Sequence, residues 1–474
     1  MRRARAALVG LASTALVAGG LAYSVADAFD RVPGVLTVRP EPTPPPPPPP
    51  APGASPVTAL PAPVLDPAGT DAPLPARGTL AASLASLLAD PALGTSRGAS
   101  VVDLLTGEVL LDVEAAVARE PASTAKLLTG AAALRRVGPQ ATLATRAVTG
   151  VTPDEVVLVA GGDVLLAAGV GDETAARGHA GLADLAQQTA QALAAAGRST
   201  VAVHVDDSLF SGPPTARGWS AADVDLGFVA PVTALAVDAG RLEDENYAPR
   251  ADDPSLAAAE TFAALLGDHG VRVVGDVVRA AAPPAPEVLG EVHSAPVADV
   301  VRYMLASSDN TVAEALARLV AVEVGRPATF ADGAGAVLDE VAALGVDVRG
   351  AVLADGSGLA EGSALAPALL TELLTAAASA EHEELRSLVT GLPVAGLDGT
   401  LLERFAGDGA AAGVGTVRAK TGSLSGVTTL AGTVTTLDGR VLAFAVLADD
   451  VPGTAASREV VDRIASTLAA CGCR

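Results

Sequence analysis

Residues 414–448 read VGTVRAKTGSLSGVTTLAGTVTTLDGRVLAFAVLA, and this stretch decides the fold. Its β-branched and apolar positions fall into three strand-like runs, Val414–Thr421, Gly426–Thr435 and Val441–Ala448. Leu437-Asp438-Gly439-Arg440 supplies the last turn. A helical pattern, Ser457–Ala470, follows. Near the other end, Ala99–Leu104 and Val109–Val113 alternate around Thr106-Gly107-Glu108, a second hairpin. Thr79–Leu88 and Ser123–Val137 read as helices beside it. A hairpin and helices in front, with strands and a helix behind, imply one sheet built from both ends of the chain.

Between these ends the reading changes. Strands at Glu155–Ala160, Val201–Asp206 and Val271–Val278 alternate with helices at Leu182–Ala195 and Ser255–Leu266. Prolines 283, 284 and 286 close this stretch. Helical patterns then run through Val297–Val322, Phe330–Leu344 and Ala366–Ala378. The expected organisation is a domain formed by 78–146 and 286–474, with 147–285 as an inserted accessory domain.

In front lies a segment of another kind. Arg2, Arg3 and Arg5 precede an apolar run from Ala6 to Tyr23, and Ala26-Asp27-Ala28 offers a cleavage site. Residues 1–28 read as a signal peptide or membrane anchor, which puts the rest outside the cytoplasm, in the cell envelope. Seventeen of the 34 prolines fall between residues 33 and 75, including the run Pro44–Pro50. Proline fixes φ and lacks an N–H, so 29–77 reads as an extended linker.

The chain carries 31 basic and 54 acidic residues, a formal charge of −23. That balance excludes nucleic acid as the main partner, since phosphate binding needs a basic stripe. The two cysteines, Cys471 and Cys473, exclude a disulfide scaffold and a Cys-rich zinc site. The pair itself could close a small ring or meet a partner. The five histidines show no H-E-x-x-H spacing, and neither a catalytic metal nor a cofactor is expected. Trp219 and Phe228 read as core of the middle region.

Only two of the 31 basic residues are lysines, Lys126 and Lys420, and only two asparagines occur, Asn246 and Asn310. Where composition so favours arginine, a retained lysine marks a place where a guanidinium fails, and losing a proton is what guanidinium cannot do. Ser123-Thr124-Ala125-Lys126 puts a hydroxyl and that amine three apart on a predicted helix, so they share a face. A neutral amine there can activate the serine as a nucleophile. Ser308-Asp309-Asn310 offers a hydroxyl and an amide to one cleft, and Lys420-Thr421-Gly422, with Ser423 after it, offers a cation and a hydroxyl at a strand end. Taken singly each is weak: a capping serine with a solvated lysine, a helix cap, or a charged strand end would give the same letters. Together, in this order and on the only two lysines, they are a chance event of about one in ten thousand. Asp355–Leu359 and Asp398–Leu401, rich in Gly and Asp, read as structural turns bordering the cleft.

S-x-x-K, then S-x-N, then K-T-G is the signature of serine penicillin-recognising enzymes. With Ala313-Glu314, Asp355-Gly356-Ser357-Gly358-Leu359, the Pro393–Leu401 run and the 182-residue gap from Lys126 to Ser308, residues 79–470 resemble the D-alanyl-D-alanine carboxypeptidase/endopeptidases of penicillin-binding protein 4 type, the S13 peptidases. The resemblance implies an α/β transpeptidase-like fold, with an antiparallel sheet flanked by helices, a helical lobe and an inserted domain. It implies hydrolysis of peptidoglycan stem peptides and acylation by β-lactams. In that reading Ser123 is the nucleophile, Lys126 its base, Ser308 a proton relay and Asn310 a substrate anchor. Lys420 and Thr421 bind the terminal carboxylate, Gly422 lets the substrate backbone approach, and the N–H groups of Ser123 and Ser423 form the oxyanion hole. Val232–Gly240 runs almost directly into the helix at Ser255, so the smaller nested domain of many relatives is expected to be missing. The alternatives are a β-lactamase, disfavoured because neither asparagine lies in an E-x-x-L-N motif, and a non-catalytic wall-binding protein, disfavoured by the intact constellation.

Overall fold

The computed structural model describes residues 71–472. The leader or anchor, nearly all of the proline-rich segment and Cys473 lie outside the described residues. Cys471 is buried and disulfide-bonded. The strands are β1 Ser96–Asp103, β2 Val109–Val113, β3 Ala144–Thr149, β4 Glu155–Val159, β5 Thr200–Asp206, β6 Arg272–Val273, β7 Val278–Arg279, β8 Val288–His293, β9 Val417–Leu424, β10 Val427–Thr435 and β11 Val441–Asp449.

Five of them form an antiparallel sheet in the order β2-β1-β11-β10-β9, so both ends of the chain do contribute to one sheet. The period-2 alternation of a strand sorts its side chains onto two cores. Along β11, Leu442, Phe444, Val446 and Ala448 join one apolar cluster, while Ala443, Ala445 and Leu447 join another. The first face receives the helices Arg77–Leu88, which buries Leu80, Leu84 and Leu88 at four-residue spacing, and Thr454–Ala469. The second, mostly alanine, lets the helix Pro367–Ala378 approach closely. A helical lobe made of Lys126–Arg136, Val297–Ser307, Asn310–Glu323 and Phe330–Ala342 continues that core. The fold is therefore mixed α/β, an antiparallel sheet with helices on both faces and a lobe on one side.

A second sheet runs β6-β5-β4-β3-β8, with β7 also paired to β5. β4 and β5 are parallel, joined through the helix Leu182–Ala195, and β5 and β6 are parallel across the helix Pro254–Asp268. These two helices share a third apolar core with the sheet, in which Leu185, Leu193, Phe262 and Leu266 are fully buried. First and last strands, β3 and β8, are antiparallel neighbours. Just before β3 and just after β8 the Leu143 N–H donates to the Ser294 hydroxyl at 2.9 Å and the Ser294 N–H to the Leu143 carbonyl at 2.9 Å, so the chain leaves for this sheet and returns from it at one place. The sheet extends to Ala144 and His293, beyond the 147–285 range read from the sequence.

Three local readings change. The Val271–Val278 strand is two short pieces separated at Gly275, whose φ is +76°. The Val297–Val322 helix is two helices broken at Ser308, whose φ of 59° and ψ of 32° are left-handed. Phe228 is 38 % exposed and meets Tyr247 edge-on, so it is not core.

Candidate active site

The nucleophile motif lies on a 3-10 turn, Ala122–Ala125, that runs into the α-helix Lys126–Arg136, rather than within the first turn of an α-helix. In a 3-10 turn, residues three apart eclipse one another. Ser123 and Lys126 consequently line up, and the Lys126 Nζ donates to the Ser123 Oγ at 2.9 Å. Ala122, the residue before Ser123, has φ +46°, a strained value for a residue with a Cβ. Its surroundings hold it there. The Pro121 carbonyl accepts from Thr124 Oγ1 at 2.7 Å and from Thr429 Oγ1 on β10 at 2.8 Å. Gly358 presses on the Ala122 carbonyl so closely that a Cβ there would sit 2.0 Å from the oxygen.

Gly422 belongs to the same packing. A Cβ on it would lie 2.1 Å from Thr429 Oγ1 and 2.7 Å from the Pro121 carbonyl oxygen. The glycine that was expected to admit substrate backbone instead admits the protein's own nucleophile turn against β9.

Lys126 is fully buried, and its Nζ also donates to Asn310 Oδ1 at 2.6 Å and to the Ser357 carbonyl at 2.8 Å. Burial pushes this amine down to about 8, against the opposing pull of Asp355, Glu314 and Asp309. Asn310 stands at the first position of its helix, and its Nδ2 donates to the Phe228 carbonyl at 2.9 Å. The amide is thus oriented with its oxygen toward Lys126. Lys420, also fully buried, donates to the Ser308 Oγ at 2.9 Å and to the Thr421 carbonyl at 2.9 Å. Burial and the nearby Lys126 drive it well below the ordinary lysine value. At the junction of β9 and the lobe these residues form two adjacent hydrogen-bonded groups, Lys126 with Ser123 and Asn310, and Lys420 with Ser308, close enough for one amine to act on the other. Thr421 faces Thr400, to which it donates at 2.9 Å, and Ser423 accepts from Arg458 Nε at 3.3 Å. β9 is an edge strand, paired with β10 on one side; on its outer side Val394 bridges to Arg418, and beyond Lys420 that outer side has no ladder partner among the described residues.

Some contributors were not legible as such. The turn at Asp355–Leu359 is a structural turn, and it also supplies a carbonyl to Lys126. Its buried Asp355 carboxylate accepts from the N–H groups of Ser357, Gly358 and Ala360 and from Trp219 Nε1 at 2.8 Å. Trp219 packs edge-on to Phe330 of the lobe rather than into the second sheet's core. Glu314, one helical turn after Asn310, accepts from the Gly356 N–H at 3.0 Å; burial raises its carboxyl to about 8. Thr400 is a third. Among the described residues no group of three or more His, Cys, Asp or Glu is placed to hold a metal ion.

Residues 80–251 and 242–471 match the model of the D-Ala-D-Ala carboxypeptidase 3 (S13) family, and the chain belongs to it. It is 40% identical over 424 residues to a carboxypeptidase DacB of Mycolicibacterium smegmatis, covering 88% of this chain and 89% of the relative. It is 38% identical over 416 residues to a carboxypeptidase of Mycobacterium tuberculosis, with 87% of each chain covered. The crystal structure of penicillin-binding protein 4 from Haemophilus influenzae superposes with a TM-score of 0.66 at 22% identity, over 81% of this chain and 97% of that one, and shares the fold.

Proposed function

We propose that this protein is a penicillin-sensitive serine DD-carboxypeptidase that removes the terminal D-alanine from peptidoglycan stem peptides, with endopeptidase cleavage of cross-links as a further activity of the same site. The observation that carries the reading is the buried Lys126 amine, 2.9 Å from Ser123 Oγ and donating to two carbonyl acceptors. A neutral amine has two N–H bonds and one lone pair. With Asn310 Oδ1 and the Ser357 carbonyl taking the N–H bonds, the lone pair is left for the Ser123 proton.

Ser123 Oγ then attacks the carbonyl of the penultimate D-alanine, and the proton passes to Lys126. The Ser123 and Ser423 N–H groups receive the oxyanion. The C–N bond breaks as the proton held by Lys126 is handed through Ser308 to the leaving amine, which returns Lys126 to its neutral form, and Lys420 with Thr421 holds the departing carboxylate. Water attacks the ester, restores the Ser123 hydroxyl and releases the shortened peptide. The unpaired edge of β9 gives the extended substrate a strand to lie against. A β-lactam acylates the same serine.

We assign residues 71–143 and 294–474 to the catalytic domain and 144–293, bounded by β3 and β8, to an inserted domain, with 1–28 acting in export or anchoring and the proline-rich 29–70 as the spacer of an extracytoplasmic enzyme. No described helix is long and apolar enough to cross a membrane.

Intact-protein mass spectrometry after adding benzylpenicillin tests the activity. A long-lived adduct on the wild type, absent in Ser123→Ala, together with D-alanine release from stem peptides, is the expected result. Rapid turnover to penicilloate would make it a β-lactamase, and an unmodified wild type with intact drug would overturn the enzymatic reading.

A further inference from the structure

Asp309, between Ser308 and Asn310, never meets the cleft. Its side chain is 1% exposed, and it is shared between two tasks. Oδ1 caps the next helix by accepting from the Val312 N–H at 3.0 Å. Oδ2 accepts from Arg241 Nη2 at 2.6 Å, and the Arg241 side chain is itself only 5% exposed. Arg241 comes from the loop after the second sheet's Val232–Gly240 stretch, and that loop is anchored in turn. Asp238 and Ala239 both have positive φ, 46° and 51°, and are held there by bonds. Arg177 pairs with Asp238 at 2.5 Å and Asp244 at 2.7 Å, while Arg250 donates to the Ala239 and Gly227 carbonyls. The same segment touches the S-x-N turn twice more, at Phe228 O to Asn310 Nδ2 and at Ala230 N–H to Thr311 Oγ1.

We infer that Arg241 is a positioning residue for the reaction: through Asp309 it fixes the left-handed turn carrying Ser308 and Asn310, and it neutralises a carboxylate that faces Lys126. This deepens the carboxypeptidase reading and rests on it. Four charged or titratable groups face Lys126: Asp309, Glu314 and Asp355, which favour its ammonium form, and Lys420, which opposes it. Asp309 alone among them is paired with a guanidinium at hydrogen-bond distance, and that Arg241 also meets Asp238 at 3.3 Å; Arg318 acts on Glu314, and Tyr303 and Arg250 lie in the outer surroundings of Asp309. Without Arg241 the full negative charge acts on the amine, and the base stays protonated to higher pH. Without Asp309 the bare guanidinium acts in the opposite direction.

The test is the pH dependence of acylation by benzylpenicillin in the full chain, with thermal melts recorded in parallel. Arg241→Gln is expected to move the midpoint of the acid limb up by roughly one pH unit and to slow acylation at pH 7 by roughly tenfold or more. Asp309→Asn is expected to move the midpoint down, and Arg241→Lys to leave it near the wild-type position. The signs decide, so either single variant that folds is sufficient, and if neither folds Arg241→Lys still reports. A midpoint shifted by Arg241→Lys, or a rate scaled down with an unmoved midpoint in Arg241→Gln or Asp309→Asn, would reduce Arg241 to a structural residue and overturn the inference. A wild type that forms no adduct would instead defeat the carboxypeptidase reading itself.

Discussion

Lys126 and Lys420 are both fully buried, both bonded to a serine hydroxyl at 2.9 Å, and both depressed by desolvation. Their surroundings nevertheless differ. Three carboxyl groups lie around Lys126, and two carbonyl acceptors fix its nitrogen. Lys420 has a hydroxyl, one carbonyl and the other lysine, with no carboxylate beside it among the described residues. The difference is one of completeness. Lys126 is provided for by the protein and is poised to lose or gain a proton near neutrality. Lys420 has a vacant electrostatic partner, and an arriving carboxylate is what its position calls for.

The sharpest way to break this comparison is arginine at each site. Lys126→Arg keeps the charge and removes the base, and acylation should fall by about ten-thousandfold. Lys420→Arg keeps a cation for the carboxylate and should cost only about tenfold to a hundredfold, mainly in KM. Equal losses in steady-state assays would show that the two lysines do the same work.

Next in size is the pH profile. The base acts as the neutral amine, so kcat/KM should fall about tenfold per unit below the Lys126 value of about 8 and level off above it. At pH 7 about one molecule in ten carries the neutral form. Stopped-flow acylation between pH 5.5 and 9.5 measures this, and a profile flat across pH 7 to 9 would contradict it.

Glu314 gives a smaller effect. Its carboxyl, raised to about 8, is mostly protonated at pH 7. Glu314→Gln keeps an acceptor for the Gly356 N–H and should change acylation at pH 7 by less than about threefold. Glu314→Ala leaves that N–H unpaired in a buried place and should lower stability by about 1–3 kcal/mol in denaturant titrations. The smallest change is expected from Thr400→Val, which deletes one hydroxyl bond to Thr421, about 0.5–1.5 kcal/mol, read as a modest rise in KM.

The sheet built from both chain ends was readable because strands β9 to β11 carry runs of β-branched and apolar residues and the turns between them carry glycine. The break at Ser308 was only partly readable. Ser307 to Thr311 interrupt the apolar periodicity of Val297–Val322 with five polar residues that also suit a cap, but nothing in them shows the backbone turning left-handed. β3 was missed because Ala144–Thr149 interleaves alanine, threonine and arginine, with little alternation to see. Residues of the motifs stood out because lysine and asparagine are so scarce in this chain. By the same token Arg241 was invisible, one of 29 arginines in a composition that uses arginine for every cation. Asp355 looked like any turn aspartate, and its bond to Trp219, 136 positions earlier, has no local signal.

The meeting of Leu143 with Ser294 has a consequence for how such a chain can change over generations. The chain between those residues leaves and returns at one spot, so lengthening or trimming its outlying parts leaves the spacing of the flanking strands and helices untouched. It behaves as a cassette, open to addition and loss. Two parts of the cassette lack that freedom: the 211–219 stretch, tied to Ala328, Arg318, Asp355 and Phe330, and above all the 227–250 stretch, which reaches back to the turn holding Ser308 and Asn310. Variation in length should therefore accumulate elsewhere in the cassette, and these two stretches should keep their dimensions.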